Sequence, residues 1–152
     1  MSHLLSIQEI KSAIPNRKRL LGLDVGSKTI GLALSDTMLM IATPMEIIRR
    51  KRFKDDAARL EEIVKAEDVG GFIIGWPVNM DGSEGPRCQS TRAFSDNLYA
   101  KIPLPQAFWD ERLSTAAVER TLIEADSSRA RRKEVVDKLA ASYILQGALH
   151  AL

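Results

Sequence analysis

One stretch dominates what this chain can fold into: Arg19-Leu20-Leu21-Gly22-Leu23-Asp24-Val25-Gly26-Ser27-Lys28-Thr29-Ile30-Gly31-Leu32-Ala33-Leu34-Ser35-Asp36. It predicts a buried strand over Arg19–Val25, a tight turn at Gly26-Ser27-Lys28, and a second strand over Thr29–Asp36 returning beside the first. Leu21, Leu23 and Val25 alternate with Leu20, Gly22 and Asp24, so both faces of the first strand are largely apolar, as in a central strand. Asp24 alone breaks that pattern. An ionised carboxylate in such a place needs compensation. It either caps the turn through the amides of Ser27 or Thr29, or it binds a cation. In the second strand Gly31, Ala33 and Ser35 form a small-residue set that leaves space on one face.

The remaining segments place this hairpin in an α/β context. After the breaker Pro44, a third strand is expected over Met45–Arg50, completing an antiparallel meander. An amphipathic helix is expected over Asp55–Ala66, with Ala57, Leu60 and Val64 inward. Gly70-Gly71 ends it and opens an apolar strand, Phe72–Gly75. A loop rich in turn residues, Trp76–Pro86, leads to a helix over Arg87–Tyr99. Gln106–Asp110 reads as a fifth strand. A helix capped by Ser114 or Thr115 runs to Ala125, and the last helix covers Lys133–Leu149. Strand–helix–strand crossovers require a parallel portion with helices packed on it. The expected architecture is α/β, with a five-stranded mixed sheet, three antiparallel strands followed by parallel ones, flanked by helices.

At 152 residues the chain suits one main domain. Residues 1–18 are read as a helical extension packing on the outside. In it Ser6 and Glu9 form a capping box, Leu5 and Ile10 a hydrophobic staple, and Pro15-Asn16 the stop. Residues 19–152 form the functional domain.

The inventory of reactive side chains narrows the chemistry. The two histidines, His3 and His150, sit at the ends of the chain. A serine or cysteine nucleophile activated by a central histidine is therefore not expected. Cys88 is the single cysteine; it supports neither a disulfide framework nor a zinc cluster, and it reads as incidental. With no signal-peptide pattern and no apolar run of membrane-spanning length, a cytoplasmic location is expected and a membrane partner is not. The net charge is only +2, but Arg17–Arg19, Arg49–Lys54 and Arg129–Lys133 concentrate the cations into runs. Each run alone suits a solvated surface; three of them beside a carboxylate site suit a phosphate backbone.

In α/β sheets ligands gather outside the carboxyl ends of the parallel strands. Asp24 lies near such an end, and so does Asp110-Glu111. Neighbouring strand residues point to opposite faces, so only one of Asp110 and Glu111 can share a face with Asp24; the alternative use of that pair is a salt bridge with Arg112. On the last helix, Asp137 heads a stripe of Ala140, Ala141, Ile144 and Ala148. This stripe should lie close against the sheet and aim Asp137 inward. An ion pair with Lys133 or Lys138 is the competing use. Three acids from separate elements would make an oxygen-rich site for a hard cation, Mg²⁺ or Mn²⁺. Two such ions suit phosphodiester hydrolysis.

Four segments, in order, carry a resemblance: Gly22-Leu23-Asp24-Val25-Gly26-Ser27-Lys28-Thr29-Ile30-Gly31, Gly75-Trp76-Pro77-Val78-Asn79-Met80-Asp81-Gly82, Asp110-Glu111-Arg112-Leu113-Ser114-Thr115 and Val136-Asp137-Lys138-Leu139-Ala140-Ala141-Ser142-Tyr143-Ile144-Leu145. Together they resemble the YqgF (RuvX) family, over about Arg19 to Leu149. The resemblance implies an RNase H-like fold related to the RuvC resolvases. It also implies a metal-dependent nuclease that processes the 5′ end of the 16S ribosomal RNA precursor. It makes Asp24, Glu111 or its neighbour Asp110, and Asp137 the catalytic acids, with Asp24, Glu111 and Asp137 as ligands for two Mg²⁺ or Mn²⁺ ions. Lys28, Arg87, Arg92, Arg112, Arg129, Arg131, Arg132 and Lys133 would steer the nucleic acid. The family often has another apolar residue where Trp76 stands. Alternatives are a junction-cleaving DNA endonuclease, acting on branched DNA, and a non-catalytic nucleic-acid-binding module in ribosome assembly. Either a monomer or a homodimer is compatible with the pattern.

Overall fold

The structure is a computed structural model; it describes residues 4–79, 81–113 and 129–152, with side chains over 4–79, 81–113 and 139–152. The elements are β1 (Leu4–Leu5), α1 (Ile7–Ala13), β2 (Arg19–Val25), β3 (Thr29–Ser35), β4 (Ala42–Arg49), α2 (Phe53–Ala66), β5 (Val69–Trp76), α3 (Pro86–Lys101), β6 (Gln106–Asp110), a 3-10 turn (Glu111–Leu113) and α4 (Arg129–His150). The predicted helix between Ser114 and Ala125 lies outside the described residues.

The strands form one mixed sheet in the order β1-β6-β5-β2-β3-β4. The meander β2-β3-β4 is antiparallel, and β5 and β6 add to β2 in parallel. This matches the expected fold class, with one correction. The sheet has six strands rather than five, because Leu4 and Leu5 pair in parallel with Gln106 and Ala107 of β6. An edge strand exposes a row of unpaired backbone groups, and a short apolar segment just before the Ser6 cap covers part of that row. Nor does the first helix merely sit outside. Its capping box forms as expected, with Ser6 Oγ accepting from the Glu9 amide and Glu9 from the Ser6 amide. Ile7, Ile10 and Ile14 are buried, in one apolar cluster with Ile73, Ala107, Ile144 and Leu145.

Two apolar layers sandwich the sheet. On one face Leu21, Leu23, Ile30, Phe72 and Ile74 meet Leu60 and Ile63 of α2 and Phe94 and Leu98 of α3. On the other Leu20, Ala33, Ile73 and Ala107 meet α1 and α4. The small-residue face of the hairpin is the one α4 crosses. A Cβ on Gly22 would lie 2.8 Å from Leu145 Cβ and 3.3 Å from the Ala141 carbonyl, so only glycine admits the helix this closely. The predicted stripe is confirmed where it is described, since Ala140, Ala141, Ile144 and Ala148 are all buried.

Several boundaries move, among them the start of β5, at Val69 rather than Phe72. Pro44 does not precede the third strand but lies inside β4, opposite Ala33 at an irregularity in the ladder; β4 is a sheet edge, where a missing N–H costs little. The last helix already includes Arg129, so the basic run Arg129–Lys133 belongs to the helix rather than leading into it. Alanine, arginine and lysine all favour helix, and nothing in the run breaks one. Among the described residues no helix is long and apolar enough to cross a membrane.

Candidate active site

Sheet register places the first two acids. Leu23 pairs with Ile74 at the last matched position of β2 and β5. Asp24 and Gly75 stand one residue further on, at the carboxyl ends of two adjacent parallel strands. Alternation puts Asp24 on the face of Gly22, the face covered by α4. Gly75 belongs to the same face: a Cβ there would lie 2.8 Å from Ile144 Cδ1 of α4 and 2.8 Å from Glu111 Oε1. The Glu111 carboxylate thus rests on the bare backbone of Gly75, on the strand beside Asp24 and under the helix that carries Asp137. Both Asp24 and Glu111 are half-buried and both have interaction partners.

Asp110 is used differently. It faces the other layer, paired across the sheet with Trp76. Its two oxygens accept from Arg112 Nη2 at 2.7 Å and Nε at 3.1 Å, and Oδ1 also accepts from the Arg112 amide at 2.9 Å. The Arg112 side chain holds the Asp110 carboxyl below its ordinary value, against a smaller opposing effect of burial. The salt bridge that the sequence allowed therefore exists, and it takes Asp110 and Arg112 together.

Asp137 lies on α4 one turn before Ala141, whose carbonyl touches the Gly22 position; its side chain lies outside the described residues. So do the side chains of Arg129, Arg131, Arg132 and Lys133, all on the same helix. Among the described residues, no group of three or more acids, histidines or cysteines gathers as a metal site.

The loop after β5 forms the wall beside Glu111. It is tied by Asn79 N–H to the Ser83 carbonyl at 2.9 Å, Gly82 N–H to the Asn79 carbonyl at 2.8 Å, and Ser83 Oγ to Asp81 at 2.6 Å. The bond from the Ser83 hydroxyl lowers the Asp81 carboxyl's proton affinity. Gly82 has φ of +90°, a conformation side chains resist. A small cavity of about 290 Å³ follows, lined by Pro77, Val78, Asn79, Gly85, Pro86, Arg87 and Glu111.

Of the predicted cations, Arg87 lines this cavity with Glu111, and it also lines a larger cavity with Lys28 of the β2–β3 turn. Arg92 lies over the Trp76 ring at 5.1 Å, and Trp76 stacks on Phe108 at 4.4 Å. The tryptophan thus has a structural partner on each side. Cys88 is buried in the first turn of α3, in keeping with an incidental role. The sequence reading did not single out Arg50. Its Nη1 donates to the Gly26 carbonyl at 2.7 Å, and its N–H donates to the Lys28 carbonyl at 2.9 Å. Together with the Gly26 N–H to Thr29 carbonyl bond of 2.8 Å, this clasps the turn. Its signal was the basic run Arg49–Lys54, read only as bulk charge.

A family model described as "RuvX: Holliday junction resolvase" matches residues 18–151. The chain belongs to the RuvX family. Curated relatives include a protein of Roseobacter denitrificans, 60% identical over 140 residues and spanning 91% of this chain and 86% of its own. One of Paramagnetospirillum magneticum is 59% identical over 146 residues, spanning 96% and 94%. Each bears the name "Putative pre-16S rRNA nuclease". Among solved structures, Thermus thermophilus RuvC in complex with a Holliday junction substrate superposes with a TM-score of 0.53 at 12% identity, over 88% of this chain and 94% of that one. The yeast mitochondrial Holliday junction resolvase Ydc2 gives 0.50 at 14% identity, over 94% and 82%. These likenesses establish the RNase H-like fold of this RuvX family member.

Proposed function

We propose that this chain is a metal-dependent nuclease that hydrolyses phosphodiester bonds, and that its substrate is the 5′ region of precursor 16S ribosomal RNA. The observation that carries the reading is that Asp24, at the carboxyl end of β2, and Glu111, from the turn after β6, share one face beside Gly75 of β5, beneath α4. Relatives near 60% identity carry the corresponding name. Residues 19–152 act as the nuclease domain, with 1–18 as an extension that caps its sheet, and the protein works in the cytoplasm.

The site's donor set suits a hard divalent cation, since carboxylate oxygens are what Mg²⁺ and Mn²⁺ prefer. The bare backbone at Gly75 keeps Glu111 close to the sheet, as a ligand at such a site must be. Asp24, Glu111 and Asp137 would hold the metal. When bound, two such ions supply an activated water and charge stabilisation at the leaving oxygen. The chain's own contribution is positional. Gly22 lets α4 approach, so the acid on that helix is brought toward β2. Gly75 sets the depth of Glu111. The loop Pro77–Arg87 walls the cavity beside Glu111, and Arg87 offers its guanidinium to the phosphate. Asp110 serves by anchoring Arg112 rather than as a ligand.

The test is cleavage of defined precursor 16S RNA, linear DNA and four-way junction DNA in Mg²⁺ and Mn²⁺, by wild type, Asp24→Asn and Glu111→Gln. Cleavage of the precursor, lost in both variants while they remain folded, is expected. A second reading, junction cleavage, is favoured by the family description and by the RuvC likeness. Preferential cutting of the junction would put it first. Folded wild-type protein that binds RNA but cuts nothing would identify a non-catalytic assembly module.

A further inference from the structure

The larger cavity near the turn has a composition that the acid site does not use. It measures about 690 Å³ and is lined by the turn Val25–Thr29, by Arg50 from the end of β4, and by Arg87, Ser90 and Thr91 from the start of α3. Among the described residues, Lys28, Arg50 and Arg87 line it with the hydroxyl-bearing Ser27, Thr29, Ser90 and Thr91, and no acidic residue does. Such a lining is costly to assemble from like charges and favours an anion. The first turn of α3 also carries no acid, so its positive dipole end adds to the field.

The cations come from three different segments, and one is held in place. Arg50 is fixed by its 2.7 Å bond to the Gly26 carbonyl and by lying 5.6 Å from the Phe94 ring centre. Behind it the buried Asp56 accepts from the Lys51 amide at 3.2 Å and sets the bend from β4 into α2. Lys28 is exposed at the turn tip and Arg87 on the opposite wall. An arginine held in place beside two exposed cations is suited to a tetrahedral phosphate oxyanion.

Arg87 is common to this cavity and to the one containing Glu111. A strand crossing the carboxyl edge of the sheet would therefore meet Glu111 on one side and the cationic cavity on the other. We infer that the cavity formed by Lys28, Arg50 and Arg87 binds a backbone phosphate of the nucleic-acid strand, at a nucleotide displaced from the one that is cut. The inference rests on the nucleic-acid substrate proposed above and adds where the strand is gripped. The grip fixes register, so that the phosphate over Asp24 and Glu111 is chosen by its distance from the phosphate in the cavity.

The experiment uses the full chain carrying Glu111→Gln, with single-stranded RNA covering the 5′ region of precursor 16S RNA. One phosphate at a time is replaced by an uncharged methylphosphonate, and binding is measured as a function of salt. One position, away from the cut, should weaken binding markedly. That loss should shrink when Lys28→Ala or Arg50→Lys is added, because part of the grip on that phosphate is already gone. Lys28→Ala alone should lower the salt slope by about 0.7, the value for one contact to a single strand. Lys28 is exposed, so this variant does not depend on the Arg50 clasp for folding. Equal losses at every position, or losses that simply add to those of Lys28→Ala and Arg50→Lys, would overturn the inference. The parent chain is assayed for cleavage in parallel. Coupling without cleavage would retain the cavity and remove the nuclease reading; cleavage without coupling would do the reverse.

Discussion

Gly75→Ala isolates the placement of Glu111 from the stability of the fold. The new methyl would lie 2.8 Å from both Glu111 Oε1 and Ile144 Cδ1, about 0.6 Å inside the 3.4 Å at which ordinary contact begins. Both neighbours are the far ends of flexible side chains, so they can turn away. The gain in strand preference from glycine to alanine, about 0.5–1 kcal/mol, offsets part of the crowding. The net change in stability should stay within about 1 kcal/mol, or a few degrees in Tm for a chain of this size. Activity should respond differently. A displacement of about 1 Å in a catalytic group can cost about 10²-fold, so a shift of about 0.6 Å should cost about 10- to 100-fold in cleavage. Gly22→Ala is the control. Its methyl would meet Leu145 Cβ at 2.8 Å and the Ala141 carbonyl at 3.3 Å, and neither can rotate away. It should destabilise by about 1–3 kcal/mol as an overpacked contact does. Calorimetry and a cleavage assay on the same preparations make the comparison. Wild-type cleavage by folded Gly75→Ala, or a loss of activity that merely tracks a large fall in Tm, would refute the placement of Glu111.

The salt bridge at the end of β6 makes stability depend on pH. Arg112 lowers the Asp110 carboxyl below 3.8, its ordinary value. The folded state therefore holds that proton less tightly than the unfolded one, and the contribution is present above the unfolded value and lost as pH falls through the lower folded one. Asp110→Asn should flatten the acid limb of the stability curve, measured by urea unfolding from pH 6 to pH 2. It should also leave far more cleavage activity than Glu111→Gln. On the other end of the same strand, buried Gln106 accepts from the Ser95 hydroxyl and donates from Nε2 to the Ser95 carbonyl at 3.1 Å. Gln106→Leu should cost about 1–3 kcal/mol by removing both of these buried hydrogen bonds, seen as a lower urea midpoint with unchanged slope. Phe72, fully buried between β5 and α2 and α3, should cost about 3–5 kcal/mol on truncation to alanine.

Several features of this fold are local, and the sequence carried them. Strand β2 occupies the predicted Arg19–Val25 and β6 the predicted Gln106–Asp110, because each is bounded by its own turn residues. The Ser6–Glu9 cap involves residues three apart and needs no tertiary partner. The stripe on α4 follows from helical spacing alone. Asp24 stood out because a carboxylate in an apolar strand is expensive wherever that strand lies. What alternation alone left open was which of Asp110 and Glu111 faces Asp24. Adjacent residues are equivalent until it is known which sheet face the long helix covers.

The tertiary structure decided that question through two glycines. Gly22 admits α4 on one face and Gly75 leaves a bare place for Glu111 on the same face, while Arg112 draws Asp110 to the other. It also added β1 to the sheet edge, since an edge seeks any short extended segment that can reach it. It turned Arg50 from one charge in a basic run into the clasp of a turn 24 residues earlier. These outcomes depend on segments far apart in the chain meeting at a few ångströms, and spacing along a sequence does not encode such meetings. The sequence by itself determined the secondary structure around Asp24 and the supply of acids and cations. The packing of α4 across the sheet determined which of those acids share a face, because close approach is possible only where the backbone is bare.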